Sequence, residues 1–403
     1  MHVVTRKQMN LFFLVVAIQS LGANFAHPIT PTIIVNLNLP DYMFGLAFAG
    51  MAFTNFLFSP FWGKISTYTG SRLILLICCI GYGVGQATFG IATSQMSIML
   101  ARLTSGFFVG GIMVCYLTYV INTSPLEERG RNLTIMATLS TVFSAFGYLV
   151  GGLVGDISIP FTFFLQTFTL CLSGVLFYVF MIKDKNEHVI MKKVTIILKE
   201  ANPFSSFIDA KSFLNKILIV LFMVVLLTSI ATTAYEQCFN FYIKDQFQFT
   251  SAYNGALKAI VGFISLIANG TICMRIMRHY DVKHALVYVL IGCSLTMLGI
   301  VLLDNIVPFI LINVVFFAFN AIYIPLLQDV VAKSATSENS GILMGFFNAI
   351  KSLGMIVGAL FAGFIYAFGA KLSFLYAFIF FGIAALLMIW HNIMRNKKDY
   401  EVK

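Results

Sequence analysis

The feature that most limits what this chain can become is its repeated use of apolar stretches about 20 residues long, the length a helix needs to cross the hydrocarbon of a bilayer. Such stretches fall at about 9–35, 42–64, 72–92, 97–121, 131–154 and 160–182, then at about 215–241, 252–275, 283–303, 306–331, 341–368 and 372–394. Composition points the same way: 59% of residues are hydrophobic and 10% charged, against roughly 25% charged in soluble domains. The expected fold is an all-α integral membrane protein with twelve transmembrane helices in two pseudo-symmetric six-helix bundles. Residues 1–182 form the first expected bundle, 183–214 a cytoplasmic linker, and 215–403 the second bundle with a short cytoplasmic tail. The first stretch is too long for the apolar region of a signal peptide, so it is expected to stay as a span.

Charge distribution orients the spans. Lys244 and Lys371 fall on one side, and Arg102, Lys258 and Lys351 fall within spans. Every other Lys and Arg, including those of the linker and tail, falls on the opposite side. Basic loops stay in the cytoplasm, so both termini are expected there. The net charge of +10 is explained by this asymmetry and by attraction to anionic headgroups, and no nucleic-acid partner is expected. The seven cysteines lie in apolar runs without metal-ligand spacing, and their odd number argues against a disulfide framework. No metal and no cofactor is expected.

Four charged side chains lie deep inside the apolar stretches: Arg102, Glu236, Lys258 and Lys351. A charge at membrane depth costs about 2.5–3.5 kcal/mol even on lenient scales and is rarely kept without a use. Polar residues recur around them at helical spacing. Span eight carries Asn254, Lys258, Ser265 and Asn269, and span seven carries Ser229, Thr233, Glu236 and Asn240. Asn348 and Lys351 share span eleven, while Gln19, Asn24 and His27 share span one. Facing lipid, these groups would be unsatisfied, so the stripes are expected to face a wet interior cavity. Lys258 and Arg102 are near enough to span ends for snorkelling to be the rival reading, and Glu236 lies in the outer third of its span. Lys351 sits about 15 Å from the nearer end, too deep for that. His27, between two prolines, fits a gate residue, a proton carrier or a hydrogen-bonded packing residue.

The two halves carry traces of a repeat. The segment SAFGYLVGGLVG at 144–155 resembles KSLGMIVGALFA at 351–362, which sets Gly147 and Gly151 opposite Gly354 and Gly358. GSRLILL after span two has a weaker echo in DVKHALV after span eight. Paired six-helix halves are the usual build of carriers that work by alternating access.

Several motifs resemble those of the major facilitator superfamily, and of its twelve-span drug:proton antiporters in particular. The loop after span two holds Gly63, Gly70 and Arg72 where the family reads G-x-x-x-D-R-x-G-R-R, with Thr67 and Tyr68 replacing the Asp-Arg pair. Span four has Arg102-Leu103-Thr104-Ser105-Gly106, similar to the family's R-x-x-Q-G, whose arginine is associated with proton coupling. Span five has Gly147-Tyr148-Leu149-Val150-Gly151-Gly152 where the antiporters read G-P-x-x-G-G. The family's proline bends that helix, and Tyr148 replaces it. Pro125-Leu126-Glu127-Glu128-Arg129-Gly130-Arg131 is typical of the four–five junction. Ala234-Tyr235-Glu236-Gln237-Cys238 looks like the segment bearing the family's buried glutamate, which falls on Glu236. Where the family has a second acid on span ten, this chain has Asn320 and Ala321.

The resemblance implies a proton-coupled exporter, multi-pass in a bacterial plasma membrane and acting as a monomer. Protons, a small-molecule substrate and the lipid bilayer are its expected partners. Glu236, Arg102 and His27 are the expected proton-coupling residues. Lys351, Lys258, Asn348, Asn320, Asn24, Gln19 and Asn240 are the expected substrate contacts, and Gly63, Gly70, Arg72, Gly147, Gly151 and Gly152 the gating residues. Three interior cations against one acid favour an anionic or zwitterionic solute, such as an amino-acid-like metabolite, metallophore or siderophore. The alternatives are a broad multidrug efflux pump, a proton-coupled nutrient symporter and a non-transporting membrane receptor. No nucleophile set, metal cluster, phosphate loop or carboxylate pair suggests an enzyme.

Overall fold

The computed structural model describes residues 4–182, 201–210, 214–334 and 340–401. In chain order its helices are α1 (Arg6–Ala23), α2 (Thr30–Asn36), α3 (Met43–Thr69), α4 (Ser71–Gly90), α5 (Gln95–Thr123), α6 (Leu126–Ile157) and α7 (Ile159–Phe180). There follow α8 (Ser205–Ala210), α9 (Lys216–Asp245), α10 (Ser251–Ala268), a π-helical turn (Asn269–Cys273) and α11 (Met274–His279). The last four are α12 (Val282–Leu302), α13 (Ile306–Ala332), α14 (Ser340–Tyr366) and α15 (Leu372–Glu401). The described residues contain no strand. Most of the expected linker lies outside the described residues; α8 falls within it.

Local chemistry sets the helix starts. Thr5 and Gln8 cap α1 reciprocally, as Ser94 and Ser97 cap α5. Asn215 accepts from the Leu218 N–H to start α9, and Asp281 accepts from the Lys283 N–H to start α12. Each side chain satisfies an amide that has no partner inside its helix. Between α3 and α4 the chain turns at Gly70 with φ of 82°, a left-handed conformation that a side chain would strain.

Eleven helical segments among the described residues are long and apolar enough to cross a bilayer. The remaining expected span, 9–35, is not one helix. It breaks between α1 and α2, where Pro28 lies in the break and Pro31 opens α2. Proline has no N–H and its ring clashes with the preceding turn, so the helix cannot run through. The freed carbonyl groups are recovered by side chains. Ala23 O accepts from Tyr82 OH and from Gln166 Nε2, both at 3.1 Å. Pro28 O accepts from Asn254 Nδ2 at 3.3 Å. Irregular backbone at membrane depth survives when protein groups satisfy it in this way.

The helices pack in two sets. Met1–Leu39, Gly50–Pro203 and Gln248–Ala259 make the first. In it α4 packs on α5 and α7, and α1 packs on α6 and α7. Its centre is aromatic: Phe12 lies 4.8 Å from Tyr119 and 5.9 Å from Phe177, beside buried Cys78, Cys79 and Cys115. The second set is Pro40–Ala49, Phe204–Phe247 and Ile260–Lys403. There α9 packs on α14 and α15, and α12 packs on α13 and α15. Tyr235, Phe239, Phe309, Phe316, Phe374 and Phe381 are fully buried at its centre.

The sequence repeat has a structural counterpart. Gly147 and Gly151 of α6 lie against the carbonyls of Leu21 and Phe25 on the first span. Gly354 and Gly358 of α14 lie against the carbonyls of Leu226 and Ile230 on α9. A Cβ at any of the four would collide with backbone, so these crossings need glycine.

Candidate functional site

The helical packing gathers the expected site residues into two polar clusters, one in each set. In the first, Arg102 projects from the second turn of α5 and is only 4% exposed. Its Nη2 donates to Thr30 Oγ1 at 2.9 Å, its Nη1 lies 3.9 Å from Met51 Sδ, and its guanidinium carbon sits 4.0 Å from the centre of the Phe89 ring. Arg102 Nε has no hydrogen-bond partner, and among the described residues no carboxylate forms an ion pair with Arg102. Snorkelling is therefore not how this charge is accommodated.

His27 lies beside that arginine in the break between α1 and α2. Its ring stacks on Tyr148, 5.3 Å between centroids and 13° from parallel. Lys258 Nζ lies 5.8 Å from the centre of the same tyrosine ring. His27 is close enough to Arg102 and Lys258 to feel both charges. Tyr148, which occupies the place of the family's proline, thus forms an aromatic surface shared by two basic groups. Asn24 donates to Ser20 O at 2.8 Å and to Ser144 Oγ at 2.9 Å. Gln19 is 2% exposed and accepts from Tyr116 OH at 2.9 Å, which ties α1 to α5.

The second cluster stands on α9, α13 and α14. Glu236 is half-buried at the margin of the aromatic core, while Lys351 and Asn348, one turn apart on α14, are exposed. Lys351 feels the Glu236 charge, yet no ion pair joins them among the described residues. One turn before Glu236, Thr232 bonds to Tyr323 OH at 2.5 Å and donates to Asn320 Oδ1 at 3.3 Å. Asn240 is 8% exposed, and its Oδ1 has no partner.

The expected gating residues sit at helix crossings and turns. Gly152 lies against the Ser251 carbonyl, and Gly255 against the Tyr148 carbonyl, so α6 and the start of α10 touch backbone to backbone. Gly63 faces Val114, and Arg72 lies 4.9 Å from the centre of the Tyr178 ring. Sequence reasoning missed Thr30, Phe89, Thr232 and Tyr323, which are ordinary residues of apolar runs until packing brings them to a charge or an amide. It also passed over Asp329, which lies within α13 and pairs with Lys333 at 2.7 Å.

Spans with buried charges, a broken helix whose carbonyls are held by side chains, and glycine crossings define a membrane carrier. The sequence profile of the Major Facilitator Superfamily matches residues 12–351, and the chain belongs to that superfamily. It is 25% identical to "Multidrug resistance protein MdtG" of Proteus mirabilis (strain HI4320), over 90% of this chain and 91% of that one. It is 22% identical to "Multidrug resistance protein 2" of Bacillus subtilis (strain 168), over 92% of each chain. Among solved structures it resembles the nucleoside transporter NupG with a TM-score of 0.73 at 14% identity, covering 96% of this chain and 98% of that one. The protein is accordingly a multi-pass membrane protein and a secondary active transporter, not an enzyme.

Proposed function

We propose that this transporter exports a small anionic or zwitterionic metabolite in exchange for protons, by alternating access, from a bacterial plasma membrane with both termini in the cytoplasm. The observation that carries the reading is the balance of buried charge. Glu236 is the one acid at mid-membrane depth near the candidate sites, against Arg102, Lys258 and Lys351. Glu236 takes up and releases the proton, with Arg102 and His27 as its expected partners in coupling. Lys351 and Asn348 on α14 and Lys258 on α10 meet the solute, and the glycine crossings of α6 and the Gly63–Arg72 loop act in gating. The functional unit is a monomer without a nucleic-acid partner. The relatives lend no support to a metallophore, so the proposal stays at the level of chemical class.

The relatives' names favour a second reading, broad multidrug efflux. A cationic interior opposes lipophilic cations, so the two readings separate in one comparison. Small polar metabolites are measured in the medium of deletion and complemented cells, and ethidium accumulation is measured in the same cells. Export of a carboxylate-bearing metabolite with unchanged ethidium supports the proposal; lowered ethidium without a change in metabolites supports multidrug efflux.

A further inference from the structure

Burying an isolated charge is far more costly than burying a polar group, and native structures answer it with a counter-charge or full hydrogen bonding. Arg102 has neither. Its neighbours are a hydroxyl, a thioether and a phenyl face, and its Nε is buried with no partner. The next ionisable groups, His27 and Lys258, are basic and share the Tyr148 ring. Asp156, on the same helix as Tyr148, is turned to the Ala252 N–H at 3.2 Å. The cluster of Arg102, His27 and Lys258 is thus short of one negative group.

We propose that the missing group is a carboxylate of the transported solute, held by the Arg102 guanidinium and Lys258 with Tyr148 as an aromatic wall. This deepens the export reading above by giving the anionic end of the solute a place in the first helix set. A guanidinium fork matches the two oxygens of a carboxylate, and the Thr30 hydroxyl already fixes one arm of the fork. Phe89 covers the guanidinium face and leaves its edge, where Nε lies, for the ligand. A flat or aromatic carbon next to the carboxylate fits the Tyr148 face.

The test needs no gradient and therefore stands apart from the coupling claim. Thermal unfolding of the purified full-length protein in nanodiscs is followed with benzoate and with its neutral isostere benzamide. Benzoate is expected to raise the midpoint of the wild type and benzamide to leave it unchanged. Losing a charge-assisted bond of this kind weakens binding about tenfold or more, so Arg102→Gln should lose the benzoate response. Thr30→Asp places an internal carboxylate beside the guanidinium. It should raise the midpoint without ligand and abolish the benzoate response, while Thr30→Asn should not raise it. A wild type indifferent to benzoate, an equal response to benzamide, or an Arg102→Gln protein that still responds would overturn the assignment. Gradient-driven export of an anionic solute surviving such a result would move the carboxylate to Lys351 and leave the export reading in place.

Discussion

The Tyr366 hydroxyl donates to Asp245 Oδ2 at 2.7 Å, which locks the last turn of α14 to the end of α9. Phe44 of the Pro40–Ala49 segment stacks on Phe241 at 4.8 Å and meets the edge of Tyr366 at 5.5 Å. Tyr42 stacks on Phe364 at 5.3 Å, and Gly45 lies against the Ala359 carbonyl and Gly363. The segment is therefore seated on the same junction that holds an acid.

Seating of this segment should depend on pH. Burial and the Asp245 charge push the Asp41 carboxyl above its ordinary range. Tyr366, Tyr42 and Lys244 are the other titratable groups at the junction. A raised carboxyl binds its proton more tightly in the seated state, so seating strengthens as pH falls through the Asp41 value and weakens above it. Amide protection of 40–49, corrected for intrinsic exchange, should rise on acidification in the wild type. In Asp41→Asn it should be high and flat across the same range; an unchanged pH slope in that variant would refute this.

A second prediction concerns the broken first span. Tyr82 and Gln166 both serve the Ala23 carbonyl. Tyr82→Phe or Gln166→Leu alone leaves that carbonyl one partner, whereas the double variant leaves none. An unsatisfied buried acceptor costs about 1–3 kcal/mol, so the double variant should lose more stability than the sum of the singles. Thermal unfolding in nanodiscs reads this directly, and strict additivity would argue that the carbonyl has another partner.

The α12 cap makes a third case. Burial raises the Asp281 carboxyl, but bonds from the Lys283 N–H and the His284 ring, with the charges of both residues, outweigh it and hold it below its ordinary range. A depressed carboxyl stabilises at neutral pH, and that contribution is lost as pH falls from the ordinary aspartate value through the depressed one. Asp281→Ala should cost about 1 kcal/mol at neutral pH and nothing once the wild-type cap is protonated. Equal midpoints for the two proteins at neutral pH would count against the cap.

Hydropathy made eleven spans legible because length and apolarity are local properties. The break at 24–29 was hidden because Ile29, Ile33 and Ile34 keep the window apolar around Pro28 and Pro31. The repeat of Gly147 and Gly151 in Gly354 and Gly358 was visible, and its meaning as matched crossings onto the first span and α9 needed coordinates. Arg102, Lys258 and His27 were marked as costly or unusual from sequence. That they share one tyrosine was not legible, because Tyr148 reads there only as a lost proline. Lys258 belongs to the second half of the sequence and packs with the first helix set, which no periodicity reveals.

The central claim is that Glu236 carries the coupled proton. The direct measurement is flux of the exported solute in proteoliposomes under an imposed pH gradient, comparing wild type with Glu236→Gln. The account predicts that the gradient drives accumulation in the wild type. The variant should exchange solute across the membrane but no longer concentrate it. A Glu236→Gln protein that still concentrates the solute in step with the gradient would contradict the account.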